Sequence, residues 1–340
     1  MSLKIVITLP VDYPGIPNFG EKEYRDLDAT LEKKVCRTED ELIDIAGDAD
    51  AVITGGEPYS RRVIERLAKC RIISNIGIGY DGVDVEAATE RGICVANVPD
   101  YCIEEMADHT IALLLACARK LVRLDKAVKE GKWDSVAKVT IRSEVMRPTF
   151  RLSGQTLGLI GLGRIPRCVV PRAKALGLEV TAFDPYIPKD IAEEAGVELV
   201  DLERLLTESD FVSVHAALTP ESRQMMNAEA FGKMKSTAYF INTARGALVD
   251  EEALRDALSR GIIAGAGLDV MDPEPPSLDN PLLHMDNVIV TAHSANYSED
   301  SAAELRRRPE EDVFRVLRGE WPRGFVNPQV KDDFVARWKG

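Results

Sequence analysis

Along the chain, short apolar runs alternate with stretches whose apolar positions recur three and four residues apart. In the first hundred residues the runs are KIVITL, VCR, AVIT, RIIS and ICVAN, with helical patterns around 38–47, 60–69 and 84–91 between them. Such alternation predicts parallel α/β structure, because a parallel strand is reached only through a crossover. Ser60 is placed to cap the helix RRVIERLA, and Gly92 to close the helix that starts near Asp84. The next segment, EEMADHTIALLLACARKLVRL, predicts one long helix, more apolar than a single buried face requires. It is expected to join two domains or two subunits. A second strand–helix series opens at TLGLIGLG and continues through EVTAFD, FVSVHA, AYFINTA, IAGAGLDV and VIVTAH. From about Ser298 the pattern is helical and then extended. The whole predicts an α/β protein of two doubly wound parallel-sheet domains in tandem, without repeats or a low-complexity linker.

Composition narrows the function. At 340 residues the chain is long enough for about two cores. A formal charge of −13 argues against nucleic-acid or anionic-membrane surfaces, which call for basic patches. The six cysteines are scattered, with no C-x-x-C pair and no metal spacing, as expected for reduced thiols in a cytoplasmic protein. MSLKIVITLP reads as a first strand and not as a signal peptide, and IALLLACA is too short to span a bilayer.

The first series has no glycine fingerprint after its first strand, so a cofactor is expected in the second. There TLGLI runs into Gly161-Leu162-Gly163, helical sequence follows to Leu176, and Asp184 ends the next strand, 23 residues after Gly161. That is one βαβ unit of the dinucleotide-binding type. Gly161 suits the tight turn and Gly163 the close approach of a pyrophosphate. The N–H groups of Arg164 and Ile165 open the helix toward the phosphates, and the Arg164 charge lies beside them. Asp184 suits ribose hydroxyls and would repel a 2′-phosphate, so NAD is expected over NADP. The motif departs from G-x-G-x-x-G at Pro166, which the first helical turn tolerates because an N–H there has no intrahelical partner. Pro171, deeper in the helix, removes the bond to the Arg167 carbonyl and predicts a kink.

Five motifs together carry a family resemblance: NIGIGYDGVDVEAATERGICVANVPDYCIEEMADHTIALLLA, the glycine loop, INTARGALVDEEAL, GLDVMDPEPP and NVIVTAHSA. In this order and spacing they resemble the D-2-hydroxyacid dehydrogenases over about residues 50–325. HSANYSEDSAAELRR and GEWPRGFVNPQV look most like the branch containing the C-terminal binding proteins. The resemblance implies a flavodoxin-like substrate domain, residues 1–102 plus 296–340, and a Rossmann NAD domain, residues 103–295. It also implies a substrate cleft between them and a homodimer built largely through the cofactor domains.

Reducing a 2-oxo acid requires a clamp for carboxylate and carbonyl, a proton donor for the developing alkoxide, and a hydride held nearby. Arg245, after AYFINTA, suits the clamp, because a guanidinium binds carboxylate in bidentate fashion and stays charged. His293, after VIVTA, matches the family's proton donor, and Glu274 its partner, expected to fix the tautomer and favour imidazolium. Asp269 matches the residue that holds the nicotinamide carboxamide, with Thr243, Ala244 and Thr110 in the same cofactor set. His215 is expected on the adenosine side, not as a catalyst; His109 and His284 are given structural roles. In NIGIGYD, the amides of Ile76, Gly77 and Ile78 are expected to meet the substrate carboxylate.

Several positions depart from the family's usual pattern. Pro309 in ELRRRPEEDVFRVL predicts a kink or restart of the C-terminal helix, with Glu310 and Glu311 in a new first turn. Asn296 stands where the C-terminal-binding-protein branch has a tryptophan, which predicts a more polar cleft. No regulatory domain of the kind carried by some phosphoglycerate dehydrogenases is expected after Gly340. The reading is an NAD-dependent oxidoreductase interconverting a small D-2-hydroxy acid and its 2-oxo acid; the rival is an NADH-sensing scaffold with little turnover. No metal and no nucleic-acid or membrane partner is expected. Specificity is assigned to residues 54–62, Tyr101 and Asn296–Tyr297, with glyoxylate, hydroxypyruvate, a phosphorylated acid and larger 2-oxo acids all open.

Overall fold

The computed structural model describes residues 2–9, 21–133 and 141–338. The chain divides into two compact units, Met1–Tyr101 with Ser298–Gly340, and Cys102–Tyr297.

In the first unit, strands β1 (Leu3–Leu9), β2 (Ala29–Val35), β3 (Ala51–Thr54), β4 (Ile72–Asn75) and β5 (Cys94–Ala96) form a parallel sheet in the order β2-β1-β3-β4-β5. Successive side chains leave a strand on opposite faces, so each central strand feeds two cores. Val6, Val52, Ile73 and Val95 enter one core, while Ile5, Ile7, Ile53 and Ile72 enter the other. That two-sided burial is why these strands read as unbroken apolar runs. β2, at the edge, is mostly exposed and ends at Val35, so VCR overlaps it only at that residue. The helix expected over 60–69 is a single turn, Arg61–Ile64; Ser60 is its N-cap, but its hydroxyl donates to Glu39 Oε1 at 2.5 Å instead of capping.

The C-terminal segment closes this unit. Asn327, fully buried, accepts the Val95 N–H at 2.7 Å and donates to the Ile93 carbonyl at 3.0 Å, standing in for a sixth strand beside β5. The Asn97 N–H reaches the Gly324 carbonyl at 2.9 Å, and a Cβ on Gly324 would lie 1.8 Å from the Asn97 carbonyl oxygen. Only glycine fits there. Pro309 does not restart its helix: Glu299–Leu317 is one element. Pro309 is itself buried in it, as are Val313, Phe314 and Val316, and Glu310 accepts the Tyr24 hydroxyl at 2.5 Å instead of opening a new turn. Tertiary packing overrides the local break.

In the second unit, β6 (Thr156–Ile160), β7 (Glu179–Phe183), β8 (Glu198–Leu199), β9 (Phe211–Val214), β10 (Tyr239–Asn242), β11 (Gly265–Leu268) and β12 (Val288–Val290) form a parallel sheet in the order β12-β11-β10-β9-β6-β7-β8. The order reverses at β6, which pairs with β7 on one side and β9 on the other, so the glycine loop leaves the sheet at a topological switch point. The helix after the loop, Arg164–Ala175, is unbroken through Pro171. Pro171 lies on its exposed side, and Val169, Val170 and Ala173 keep the buried face. The expected long helix is two, Ile103–Ala118 and Leu121–Lys129, separated where Lys120 takes φ +54°. Its excess apolarity is explained by Leu113, Leu114, Cys117 and Ala118, which are buried where the helix packs on β10, β11 and the helix Arg164–Ala175.

Candidate active site

The glycine loop has the form of an anion cradle. Gly161 adopts φ +94°, and a Cβ there would lie 3.0 Å from the His215 carbonyl. Glycine therefore lets the loop lie against the end of β9. The Asp184 carboxylate accepts the Leu162 N–H at 2.8 Å through one oxygen, and the N–H groups of Tyr186 and Ile187 through the other. The acid at the tip of β7 thus also fixes the loop. Gly163 is the helix N-cap; a Cβ on it would meet nothing within 4 Å. Among the described residues, the N–H groups of Gly163, Arg164 and Ile165 have no partner within the chain. Open space above three free donors at a helix N-terminus fits a pyrophosphate. Pro166 occupies the third helical position, buried, where no donor is lost. His215 packs beside the loop with Nε2 2.9 Å from Ser213 Oγ, and burial pushes its pKa down to about 4, so it stays neutral.

A second cluster lies on the loops after β10, β11 and β12. His293 Nδ1 is 2.7 Å from Glu274 Oε2, and Glu274 Oε1 accepts the Met271 N–H at 3.1 Å. The bond from Glu274 and its charge raise the His293 pKa above the ordinary 6.5, against burial and the Arg245 charge. Burial pushes the Glu274 carboxyl up, but His293, the Met271 N–H and Arg245 prevail and hold it below the usual 4.5. Arg245 reaches this cluster because Gly246 permits it: a Cβ on Gly246 would stand 2.1 Å from the Met271 carbonyl, so the two loops touch backbone to backbone. Asn242, which carries no motif signal in the sequence, shapes the Arg245 turn. Its Nδ2 donates to the Arg245 carbonyl at 2.9 Å and its Oδ1 accepts the Ala244 N–H at 3.0 Å.

Three expected cofactor residues have other engagements. Asp269 has no exposed side-chain surface. Its carboxylate accepts Thr291 Oγ1 at 2.5 Å and the N–H groups of Ser294 and Ala295 at 2.9 Å, with His109 Nε2 3.6 Å away. Asp269 therefore anchors the turn that carries His293. Thr110 and Thr243 are buried with hydroxyls 3.1 Å apart, the first also donating to the Met106 carbonyl; they tie a helix to the end of β10. His109 and Thr291 gave no sequence signal because nothing local shows that they converge on Asp269.

The first unit corrects the amide row. Ile76 spends its N–H on the Thr54 carbonyl at 2.8 Å, prolonging the β3–β4 ladder, and Gly77 turns its N–H back to the Asn75 carbonyl at 3.1 Å. Among the described residues, the N–H groups without a partner are those of Ile78, Gly79 and Tyr80. Asn75 Nδ2 holds the Gly79 carbonyl at 2.6 Å and Asn97 Nδ2 the Ile78 carbonyl at 2.7 Å, so the row is braced from behind.

Residues 111–295 match the model of the NAD-binding domain of the D-isomer specific 2-hydroxyacid dehydrogenases. The chain belongs to that family. It is 42% identical over 343 residues to the D-3-phosphoglycerate dehydrogenase of Methanocaldococcus jannaschii, covering 99% of this chain and 62% of that protein's length. Against the glyoxylate reductase of Korarchaeum cryptofilum it is 39% identical over 334 residues, covering 97% of each. The D-lactate dehydrogenase of Aquifex aeolicus, solved with NAD and lactic acid, superimposes with a TM-score of 0.78 at 29% identity, over 98% of each chain. The second unit thus contains the NAD-binding domain of this family, and the donor set around Gly163 fits the dinucleotide. Among the described residues no helix is long and apolar enough to cross a membrane, and no group of His, Cys, Asp and Glu could hold a metal ion.

Proposed function

We propose that the protein interconverts a small D-2-hydroxy acid and its 2-oxo acid, with NAD as the hydride carrier. The observation that carries this reading is the Glu274–His293 pair at 2.7 Å with Arg245 acting on both. Bound at the glycine loop, NAD supplies or accepts the hydride. Arg245 clamps the carboxylate and the carbonyl oxygen of the 2-oxo acid and stabilises negative charge growing on that oxygen. His293 holds a proton on Nε2 for the alkoxide while Glu274 accepts from Nδ1 and stabilises the imidazolium. In the reverse direction neutral His293 takes the proton from the hydroxyl. In the first unit, the N–H groups of Ile78, Gly79 and Tyr80 offer a separate set of donors suited to a carboxylate.

A homodimer through the cofactor domain belongs to the same proposal: Leu121, Val122 and Val128 expose apolar surface on the helix Leu121–Lys129. So does a reducing, cytoplasmic setting, since all six cysteines are free and five are buried. The NADH-sensing scaffold is the weaker reading, because it makes no use of a histidine poised for proton transfer. NADH oxidation with a panel of 2-oxo acids tests the choice: turnover lost in His293→Ala supports the dehydrogenase, and tight NADH binding without turnover supports the scaffold.

A further inference from the structure

A cavity of about 350 Å³ opens in the second unit at the end of the sheet opposite the glycine loop. Tyr239, Ala264 and Asn287 line it, at or just before the first residues of β10, β11 and β12. The glycine loop, Arg245 and His293 instead follow the last residues of β6, β10 and β12. Open parallel sheets bind their cofactors at the carboxyl ends of the strands, so this cavity is separate from the dinucleotide site. Its volume suits a small organic ligand and exceeds what a bare ion needs.

The lining is basic, in a chain of net charge −13. It carries Lys120, Arg123 and Arg147 against a single acid, Asp286, which already accepts Lys126 Nζ at 3.1 Å. Among the described residues no carboxylate pairs with any of the three cations; Arg123 gives one N–H to the Glu144 carbonyl at 3.3 Å. Lys120 is 9% exposed, and its ammonium has no hydrogen-bond partner among the described residues. Burial and the Arg123 charge push that ammonium below its ordinary 10.5. An unpaired cation so placed is costly, and an anion that supplies the missing partner offsets the cost. Lys120 also takes φ +54°, which glycine adopts without strain, so the backbone gives no reason for a lysine here. Phe150, Leu258, Ile263 and Ile289 give the same cavity apolar walls.

We propose that this cavity binds a small organic dianion, a phosphate monoester or dicarboxylate, with its charged head on Lys120, Arg123 and Arg147 and its body on the apolar walls. Phenyl phosphate and phthalate are the probes, and benzyl alcohol is the neutral control. Each is titrated by calorimetry into protein saturated with NADH, so that the glycine loop is already filled. The expected result is one dianion bound per chain, no binding of benzyl alcohol, and the stronger probe naming the head group. Lys120→Gln should weaken that binding by about 10-fold or more, the scale of one charge-assisted contact, with NADH affinity unchanged. Lys120→Gly, which fits the positive φ, should weaken it likewise in a protein that stays folded. Failure of both dianions to bind the wild type overturns the proposal; a second copy filling the cavity through the Val122 face would give that result. Equal affinity in the wild type and both Lys120 variants overturns it as well. The titration needs no turnover, so its outcome is independent of the dehydrogenase reading.

Discussion

Asp269 holds His293 in place: the His293 N–H donates to the Asp269 carbonyl at 2.8 Å while His293 itself sits at φ +49°. Non-glycine residues enter that left-handed region at a cost, and the cost is borne where surrounding bonds over-determine the backbone. Here the Asp269 carboxylate supplies them by binding the next two N–H groups.

Asp269→Asn follows from that geometry. An amide nitrogen would face Thr291 or one of the two backbone donors, leaving a buried group unpaired at about 1–3 kcal/mol. The expected result is a lower urea midpoint together with a lower kcat, because the His293 turn relaxes. Unchanged stability and activity would contradict the anchoring role.

The pKa directions set the pH dependence. Reduction needs protonated His293, so kcat/KM for the 2-oxo acid should fall at high pH along a limb above the ordinary 6.5, where Glu274 has raised it. Oxidation of the hydroxy acid should rise along the same limb. In Glu274→Gln the limb should move to lower pH, because the neutral amide no longer favours imidazolium. The pair's contribution to stability has matching bounds. The raised His293 contributes fully below about 6.5 and fades as pH climbs through its folded value; the lowered Glu274 contributes above about 4.5 and fades as pH falls through its own. A pH–rate limb that stays put in Glu274→Gln would separate the pair from catalysis.

Two glycines should respond oppositely to alanine. At Gly163 a Cβ meets nothing within 4 Å, so Gly163→Ala should leave thermal unfolding unchanged and weaken NADH binding. At Gly246 a Cβ would stand 2.1 Å from the Met271 carbonyl, so Gly246→Ala should destabilise the fold by about 1–3 kcal/mol and lower kcat by moving Arg245 away from Glu274. Fluorescence titration of NADH beside thermal unfolding distinguishes the two.

The fold was largely legible because strands buried on both faces write continuous apolar runs. AVIT and TLGLI coincide with β3 and β6 to the residue. The breaks were less legible. Proline removes one bond locally, yet Pro309 and Pro171 lie within unbroken helices whose neighbours are held by the core. Lys120 ends a helix without any glycine or proline to mark it. In the site, glycine spacing points to the cofactor loop, while the choice of Glu274 and His293 beside Arg245 rests on the family resemblance. The amide row was displaced because strand register, not sequence, decides that Ile76 spends its N–H on Thr54. Nothing near Asp269 in the sequence marks its three donors, which converge on it only in the folded chain.

The most direct measurement is NADH oxidation, followed by absorbance, with glyoxylate and hydroxypyruvate for the wild type, His293→Ala and Arg245→Ala, each checked for NADH binding. The expected result is turnover in the wild type, with each variant losing it while still binding NADH. Equal turnover in all three proteins, or NADH binding by the wild type without turnover of any 2-oxo acid, would contradict a catalytic role for this site.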